Sequence, residues 1–247
     1  MPSPPAKCRF PIILLHGLFG FVERRLGPFR LTYYRGVVPY LESVGNRVVA
    51  LKVSPSGSIA HRASQICNAL NEDPLLSDTP LNLIGHSMGG LDARYLITEL
   101  GFGDRVKSLT TLSTPHRGSL LADLVDWIPG VRRLVPAIPD LTEKNAPGFN
   151  ERTPDVSATA YFSVPASTPF LSCCPIMWPT YLLIRALRGP NDGQVSVASA
   201  RWGEVLEVAD TDHLELVGMR YGLNLFREDR HLDLFGRITR VLAEKGF

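Results

Sequence analysis

The sequence predicts an α/β fold, a mostly parallel central sheet with helices on both faces, and three observations predict it. Strand-like and helix-like segments alternate along the chain, the stretch Leu81–Tyr95 reads strand, sharp turn, helix, and the C-terminal segment carries one apolar face suited to closing on a sheet. A chain of 247 residues with 45% hydrophobic content can bury one large core, so a single domain over residues 1–247 is expected.

Strands are predicted at Phe10–Leu15, Arg47–Val53, Leu81–Ile84, Val106–Leu112, Thr159–Val164 and Val205–Ala209, each a short apolar or β-branched run. Helices are predicted at Arg35–Val44, Ser58–Asn71, Met88–Leu100, Leu120–Asp126 and Asp229–Lys245. The last places Leu232, Phe235, Ile238, Val241 and Leu242 on one face. No internal repeat or low-complexity linker is visible.

Charge and composition narrow the function classes. Lys and Arg number 26 against 24 Asp and Glu, a net charge of +2 with no like-charge run, so no nucleic-acid stripe is expected. The first residues lack the apolar core of a secretory signal, and no uninterrupted apolar run is long enough to span a bilayer. The expectation is a cytoplasmic protein, or a processed one, without a transmembrane segment. Cys8, Cys67, Cys173 and Cys174 match no zinc spacing, and adjacent Cys173 and Cys174 would bridge only with a strained peptide, so buried free thiols are expected.

The chemistry centres on Gly85-His86-Ser87-Met88-Gly89, between an apolar strand and a helix. A serine on such a strained turn projects its hydroxyl at the N-terminus of the helix, where peptide N–H groups and the dipole favour an oxyanion; Gly85 and Gly89 let backbone and helix pass without a Cβ clash. The first strand runs into His16-Gly17-Leu18-Phe19-Gly20-Phe21, a loop whose backbone can approach a ligand. If it lies beside Ser87, the Leu18 and Met88 amides are a pair of oxyanion donors. His16 is expected to brace the loop.

A serine nucleophile needs a base, and the base needs a carboxylate. Of six histidines, His16, His86 and His116 sit in turns near strand ends, and His61 and His231 fall in or near helical stretches. His213 lies in the loop Asp210-Thr211-Asp212-His213 just beyond a strand, where an open α/β sheet places its chemistry. Asp192, in Asn191-Asp192-Gly193 between the apolar Tyr181–Leu187 and a strand-like Gln194–Val197, is the first candidate acid. Asp155 is the alternative, and Asp210 and Asp212 stand too near His213 in sequence. The order Ser87, Asp192, His213 is that of α/β-hydrolases.

These motifs, with Gly90-Leu91-Asp92-Ala93-Arg94-Tyr95, Thr114-Pro115-His116-Arg117-Gly118-Ser119 and Asp212-His213, resemble the bacterial triacylglycerol lipases of the Pseudomonas and Burkholderia type. The resemblance implies an α/β-hydrolase fold with a small apolar lid. It implies ester hydrolysis with Ser87 as nucleophile, His213 as base and acid, Asp192 as orienter, and Leu18 and Met88 as oxyanion donors. In such enzymes the His116–Ser119 turn leads from the sheet into the lid. Two family features are missing. No acidic residue lies between Val156 and Asn191 to supply the first calcium aspartate, leaving Glu215 as a lone carboxylate, and no cysteine follows Cys174 to complete the family's disulfide. Asp92 and Arg94 are expected to form a local pair on the helix after Ser87.

Residues 119–150 read as an insertion over the site, with Leu120, Leu121, Leu124, Val125, Trp127, Ile128, Val131, Leu134, Val135 and Ile138 interrupted by Pro129, Pro136 and Pro139. A buried helix pair is the alternative. A second apolar run, Pro169–Leu187, holds Phe170, Met177, Trp178 and Tyr181 and is expected to form an opposite wall. Phe19, Trp127, Ile128 and Trp178 are the expected substrate contacts. The reading is a serine esterase or lipase without cofactor or metal, acting on an ester or lipid and touching a lipid interface through the lid. An acyltransferase or thioesterase with the same three residues, or a non-catalytic binding module, are the alternatives.

Overall fold

The computed structural model describes residues 4–26, 29–219 and 230–247. Strands β1 (Ile12–Leu15), β4 (Val48–Leu51), β5 (Leu81–His86), β6 (Val106–Leu112), β7 (Ala160–Val164) and β8 (Glu204–Val205) form a parallel sheet in the order β4-β1-β5-β6-β7-β8. A hairpin of β2 (Glu23–Leu26) and β3 (Phe29–Thr32) leaves the β1 loop. The chain steps from β1 outward to β4 and returns on the other side of β1 to β5, so the direction of winding reverses between β1 and β5. Open α/β sheets bind ligands outside the strand ends at such a reversal.

Side-chain alternation along the strands builds two cores. Ile12 and Leu14 face α1 (Val37–Glu42) and α9 (Arg230–Glu244), joining Val37, Leu41, Phe235, Ile238 and Leu242. Ile13 and Leu15 face α2 (Ile59–Glu72) and α3 (Met88–Thr98), joining Ala63, Ile66, Leu70, Leu96 and Ile97. The remaining helices lie beyond β6: α4 (Leu120–Asp126), α5 (Val131–Leu134), α6 (Ala146–Arg152), α7 (Trp178–Arg188) and α8 (Val197–Ala200). Among the described residues no helix is long and apolar enough to cross a membrane.

The expected α/β class and parallel sheet are observed, and the differences have local causes. Helix α1 is shorter than Arg35–Val44 because Gly36 before it (φ 69°) and Gly45 beyond it (φ 84°) adopt left-handed backbone. Ser58 caps α2 by accepting the His61 N–H instead of lying inside it. Asp229, the expected start of the last helix, lies outside the described residues. Val205–Ala209 pairs only at its start, with a single bridge from Ala166 to Ala209 farther on. Gln194–Val197 is not a strand. It is a bend leading into α8, because the Asp192 carboxylate draws the Gln194 and Val195 amides inward. Part of the apolar run Pro169–Leu187, for which no helix was predicted, forms α7, with Pro179 in its first turn, where Pro is tolerated.

Candidate active site

The loop after β1 and the turn after β5 meet because Leu15 pairs with Gly85 in adjacent strands. Ser87 adopts φ 55° and ψ −129°, a strained conformation fixed from both sides: its N–H donates to the Leu112 carbonyl (2.8 Å), and its carbonyl accepts from the Thr114 hydroxyl (2.8 Å). A Cβ at Gly85 would meet the Gly90 nitrogen at 2.6 Å, and one at Gly89 would press into the Leu15 carbonyl. Both glycines are therefore required by close backbone approach, as expected. Among the described residues the Leu18 and Met88 amides find no acceptor, and Met88 opens α3. Phe19 has φ 56° and is anchored by its N–H to the Pro55 carbonyl (2.7 Å).

Asp192 and His213 also come together. Asp192 is fully buried; one of its oxygens accepts the Gln194 and Val195 amides (2.9 and 2.7 Å), and the other accepts His213 Nδ1–H (2.7 Å). The His213 amide donates to the Asp192 carbonyl (3.0 Å), so the two loops are zipped by backbone as well. Asp155 is elsewhere, accepting from the Trp202 indole (2.8 Å). Asp212 accepts the Cys174, Leu214 and Glu215 amides (2.9, 3.0 and 2.9 Å), which fixes the turn that presents His213. Leu216 is buried in the core beneath it, and Leu214 packs in part against a small cluster of Cys173, Cys174, Met177 and Tyr181.

Ser87 and His213 line one cavity of about 500 Å³. Its floor is Leu18, Phe19, Tyr33 and His86, and its roof comes from the insertion: Leu121, Ala122 and Val125 on α4, then Val135, Ile138 and Leu141. Phe19 lies where it was expected. Trp127 and Ile128 do not, being 87% and 55% exposed on the outer surface. Helical spacing explains this, since Leu121, Ala122 and Val125 share the inward face of α4 and the helix ends at Asp126. Trp178 is also absent from the cavity: its indole donates to the Cys173 carbonyl (3.0 Å) and its ring packs on Phe170. From the second apolar run, Ile176, Met177 and Thr180 line an adjoining cavity of about 470 Å³ that shares Leu121, Gln194 and Leu214 with the first.

The expected Asp92–Arg94 pair is not formed. Residues two apart on a helix point to different sides. Asp92 instead meets Arg62 of α2, both fully buried, with Nε donating at 2.8 Å. The same guanidinium donates to the carbonyls of His16, Gly17 and Ser54, and so holds the β1 loop. Burial pushes the Asp92 carboxyl up, against the downward pull of Arg62. Arg94 turns the other way. It lies 3.7 Å above the Trp202 ring and donates to the Asn150 side chain and the Thr153 carbonyl (both 2.7 Å), clamping the far end of the insertion. The signal for Arg62 was available in the sequence: it is a cation on the apolar stripe of Ile59, Ala63, Ile66 and Leu70.

His16 braces its loop, donating Nδ1–H to the Gly17 carbonyl (2.9 Å) and accepting the Val53 amide at Nε2 (3.3 Å). Burial lowers its pKa to about 4 and holds His86 and His116 well below the usual histidine range. All three therefore stay neutral in the fold where the unfolded chain takes up protons, so stability is full above about pH 6.5 and falls as pH drops from there toward the folded values. Burial raises the carboxyls of Asp92, Asp140 and Asp212, which act with the opposite sign, Asp92 most strongly. The three imidazoles, which all take up protons in the unfolded chain near pH 6.5, outweigh them in this window. We expect the melting temperature to fall by several degrees from about pH 7 to about pH 5.5. A flat or rising profile in thermal unfolding would mean that these rings are not buried neutral.

Glu215, the lone carboxylate at the family's calcium position, is buried with the Thr211 hydroxyl donating to it (3.1 Å). Arg220, the neighbouring arginine that the sequence offers Glu215 as a partner, lies outside the described residues. Among the described residues no group of three or more His, Cys, Asp or Glu side chains is placed to hold a metal ion, and a hard dication needs several oxygens. These side chains do not fit a calcium site. All four cysteines are free; Cys8, Cys173 and Cys174 are buried, Cys67 is partly exposed, and burial pushes the Cys173 thiol up to about 12. We expect EDTA and dithiothreitol to leave activity and melting temperature unchanged. A loss reversed by calcium would reveal ligands from backbone carbonyls.

Residues 11–163, more than half of the chain, match the family described as palmitoyl protein thioesterase. The chain belongs to this family. Over 244 residues, 88% of the chain, this family member is 34% identical to triacylglycerol lipase 2 of Saccharomyces cerevisiae, covering 75% of that protein. It is 35% identical over 127 residues to a triacylglycerol lipase of Burkholderia plantarii, a match spanning 49% of this chain and 33% of the relative. The crystal structure of Staphylococcus hyicus lipase superposes with a TM-score of 0.80 at 18% identity, covering 100% of this chain and 99% of that one. The expected resemblance to bacterial lipases is borne out, the fold is that of the α/β-hydrolases, and this family member is a carboxylic ester hydrolase.

Proposed function

We propose that the protein hydrolyses lipid esters of the triacylglycerol type through an acyl-enzyme on Ser87. The observation that carries this reading is the meeting, in one cavity, of a hydroxyl on a strained turn and an imidazole whose Nδ1 is held by a buried carboxylate at 2.7 Å. Ser87 Oγ attacks the ester carbonyl carbon while His213 Nε2 takes its proton, and the oxyanion is received by the Leu18 and Met88 amides. The C–O bond to the alcohol then breaks and the alcohol oxygen takes the proton from His213. Water repeats the sequence on the acyl-enzyme, releasing the acid and restoring Ser87. Asp192 keeps the His213 tautomer and stabilises the imidazolium. Among the described residues Ser87 Oγ makes no hydrogen bond at rest, and such contacts commonly tighten only with substrate bound.

Residues 119–150 act as a lid, with the inward face of α4 lining the acyl chain. Replacing Leu121 and Val125 by Ser is expected to lower kcat/KM for long-chain p-nitrophenyl esters by roughly tenfold, and for acetate much less. Trp127→Ser should change neither series in free solution. Equal losses across all chain lengths would make α4 a structural element instead of an acyl contact. The family description supports a second reading, thioester cleavage by the same residues. Rates on matched oxygen esters and S-acyl thiols of one chain length distinguish the two.

A further inference from the structure

One continuous set of buried hydrogen bonds ties together the three loops of the site. Tyr33, which follows the β2–β3 hairpin, is buried, and its hydroxyl oxygen accepts the Gly17 N–H at 3.0 Å. The same hydroxyl lies 2.7 Å from His86 Nδ1, and His86 Nε2 lies 3.0 Å from the His213 carbonyl. The proton order follows from the chemistry. A carbonyl only accepts, so His86 must carry its proton on Nε2, its Nδ1 must be the acceptor, and Tyr33 must donate to it. The Gly17 N–H then meets a free lone pair on Tyr33. One arrangement satisfies every partner, and it requires a neutral His86.

Each end of this set touches a different functional group. Gly17 immediately precedes Leu18, His86 immediately precedes Ser87, and the final acceptor is the backbone of His213 itself. The His86 and His213 rings also pack at 4.6 Å between centroids. Neutrality of His86 is favoured by burial first and by the neighbouring His213 second. A charge on His86 would oppose the imidazolium that forms on His213 during acylation.

We propose that Tyr33 and His86 are positioning residues, a neutral hydrogen-bonded tie that sets the distance between the oxyanion amide and the base across Ser87. The proposal rests on the acyl-enzyme reading above. Tyr33→Phe keeps the ring and removes the link, leaving the Gly17 N–H and His86 Nδ1 without their partner. It should lower kcat on a short p-nitrophenyl ester by roughly tenfold or more, the scale of a small misplacement of reacting groups. KM should stay within about threefold, because the hydroxyl is committed to the tie and not to substrate. An organophosphonate should still label Ser87 completely, at a rate slowed by a similar factor.

Selective ¹⁵N-histidine labelling of the wild-type protein reads the tie without any variant. His86 is expected as a neutral ring protonated at Nε2 between about pH 5 and pH 8, and as a tautomer mixture in Tyr33→Phe. A wild-type His86 protonated at Nδ1, or one titrating in that range, overturns the proposal even if Tyr33→Phe does not fold. A kcat and labelling rate within twofold of wild type also overturn it, as does a raised KM with kcat retained, which would make Tyr33 a substrate contact. Failure of wild-type Ser87 to label would overturn the acyl-enzyme reading and the proposal with it.

Discussion

Ser87→Ala is expected to lower kcat on a p-nitrophenyl ester by roughly 10⁴-fold to 10⁶-fold, leaving only what binding and the oxyanion amides supply. His213→Ala should cost about as much and Asp192→Ala somewhat less, since the acid orients and stabilises but moves no proton. Combining any two should add little, because the three act as one unit. Asp155→Ala should leave activity unchanged, its carboxylate being engaged with Trp202. Steady-state kinetics on the purified variants decide the matter. Near-full activity in Ser87→Ala would end the serine-hydrolase mechanism, and near-full activity in Asp192→Ala alone would remove the acid from it.

The second large effect is expected at Arg62, which touches no substrate. Arg62→Met leaves the Asp92 carboxyl buried without its cation and strips donors from the carbonyls of His16, Gly17 and Ser54. Removing one partner of a buried pair costs about 3–5 kcal/mol, a large part of a domain's total stability. Replacing both partners with apolar residues, Arg62→Met with Asp92→Leu, should recover much of that loss, since the desolvation cost of both charges disappears. Activity should not recover with it, because the His16 and Gly17 carbonyls of the β1 loop, and the Ser54 carbonyl after β4, still lack their donor. Denaturant unfolding and kinetics on the single and double variants test the two halves separately. A double variant as active as wild type would show that the loop holds its shape without Arg62.

What the sequence made legible followed local rules. The Ser87 turn was legible because its glycines and flanking strand and helix leave little else for the segment to do, and the His213 loop because it sits just beyond a strand-like run. The Asp192–His213 contact depended on chain order, which proved sufficient. Arg62, Tyr33 and Asp212 were passed over because their partners lie 30 or more residues away in sequence, at Asp92, His86 and Cys174, and spacing alone cannot pair them. Trp127 and Ile128 were misplaced because apolar character in a surface segment does not tell which side faces inward. The register of α4 decided that, and it becomes readable only once the helix end at Asp126 is known.

The strand order also bears on how the chain behaves while it is being made. Leu18, Ser87 and Met88 are carried on β1, β5 and α3, and these elements pair with one another and with β4 and β6 within the segment that ends at Leu112. Asp192 and His213 arrive roughly a hundred residues later, several seconds at ordinary rates of translation. For that interval a nascent chain has the means to shape the Ser87 turn but lacks both residues that the proposed mechanism uses to activate it. On the proposed mechanism hydrolysis therefore begins only once the C-terminal loops emerge, and a ribosome-bound fragment ending before them is expected to leave esters intact.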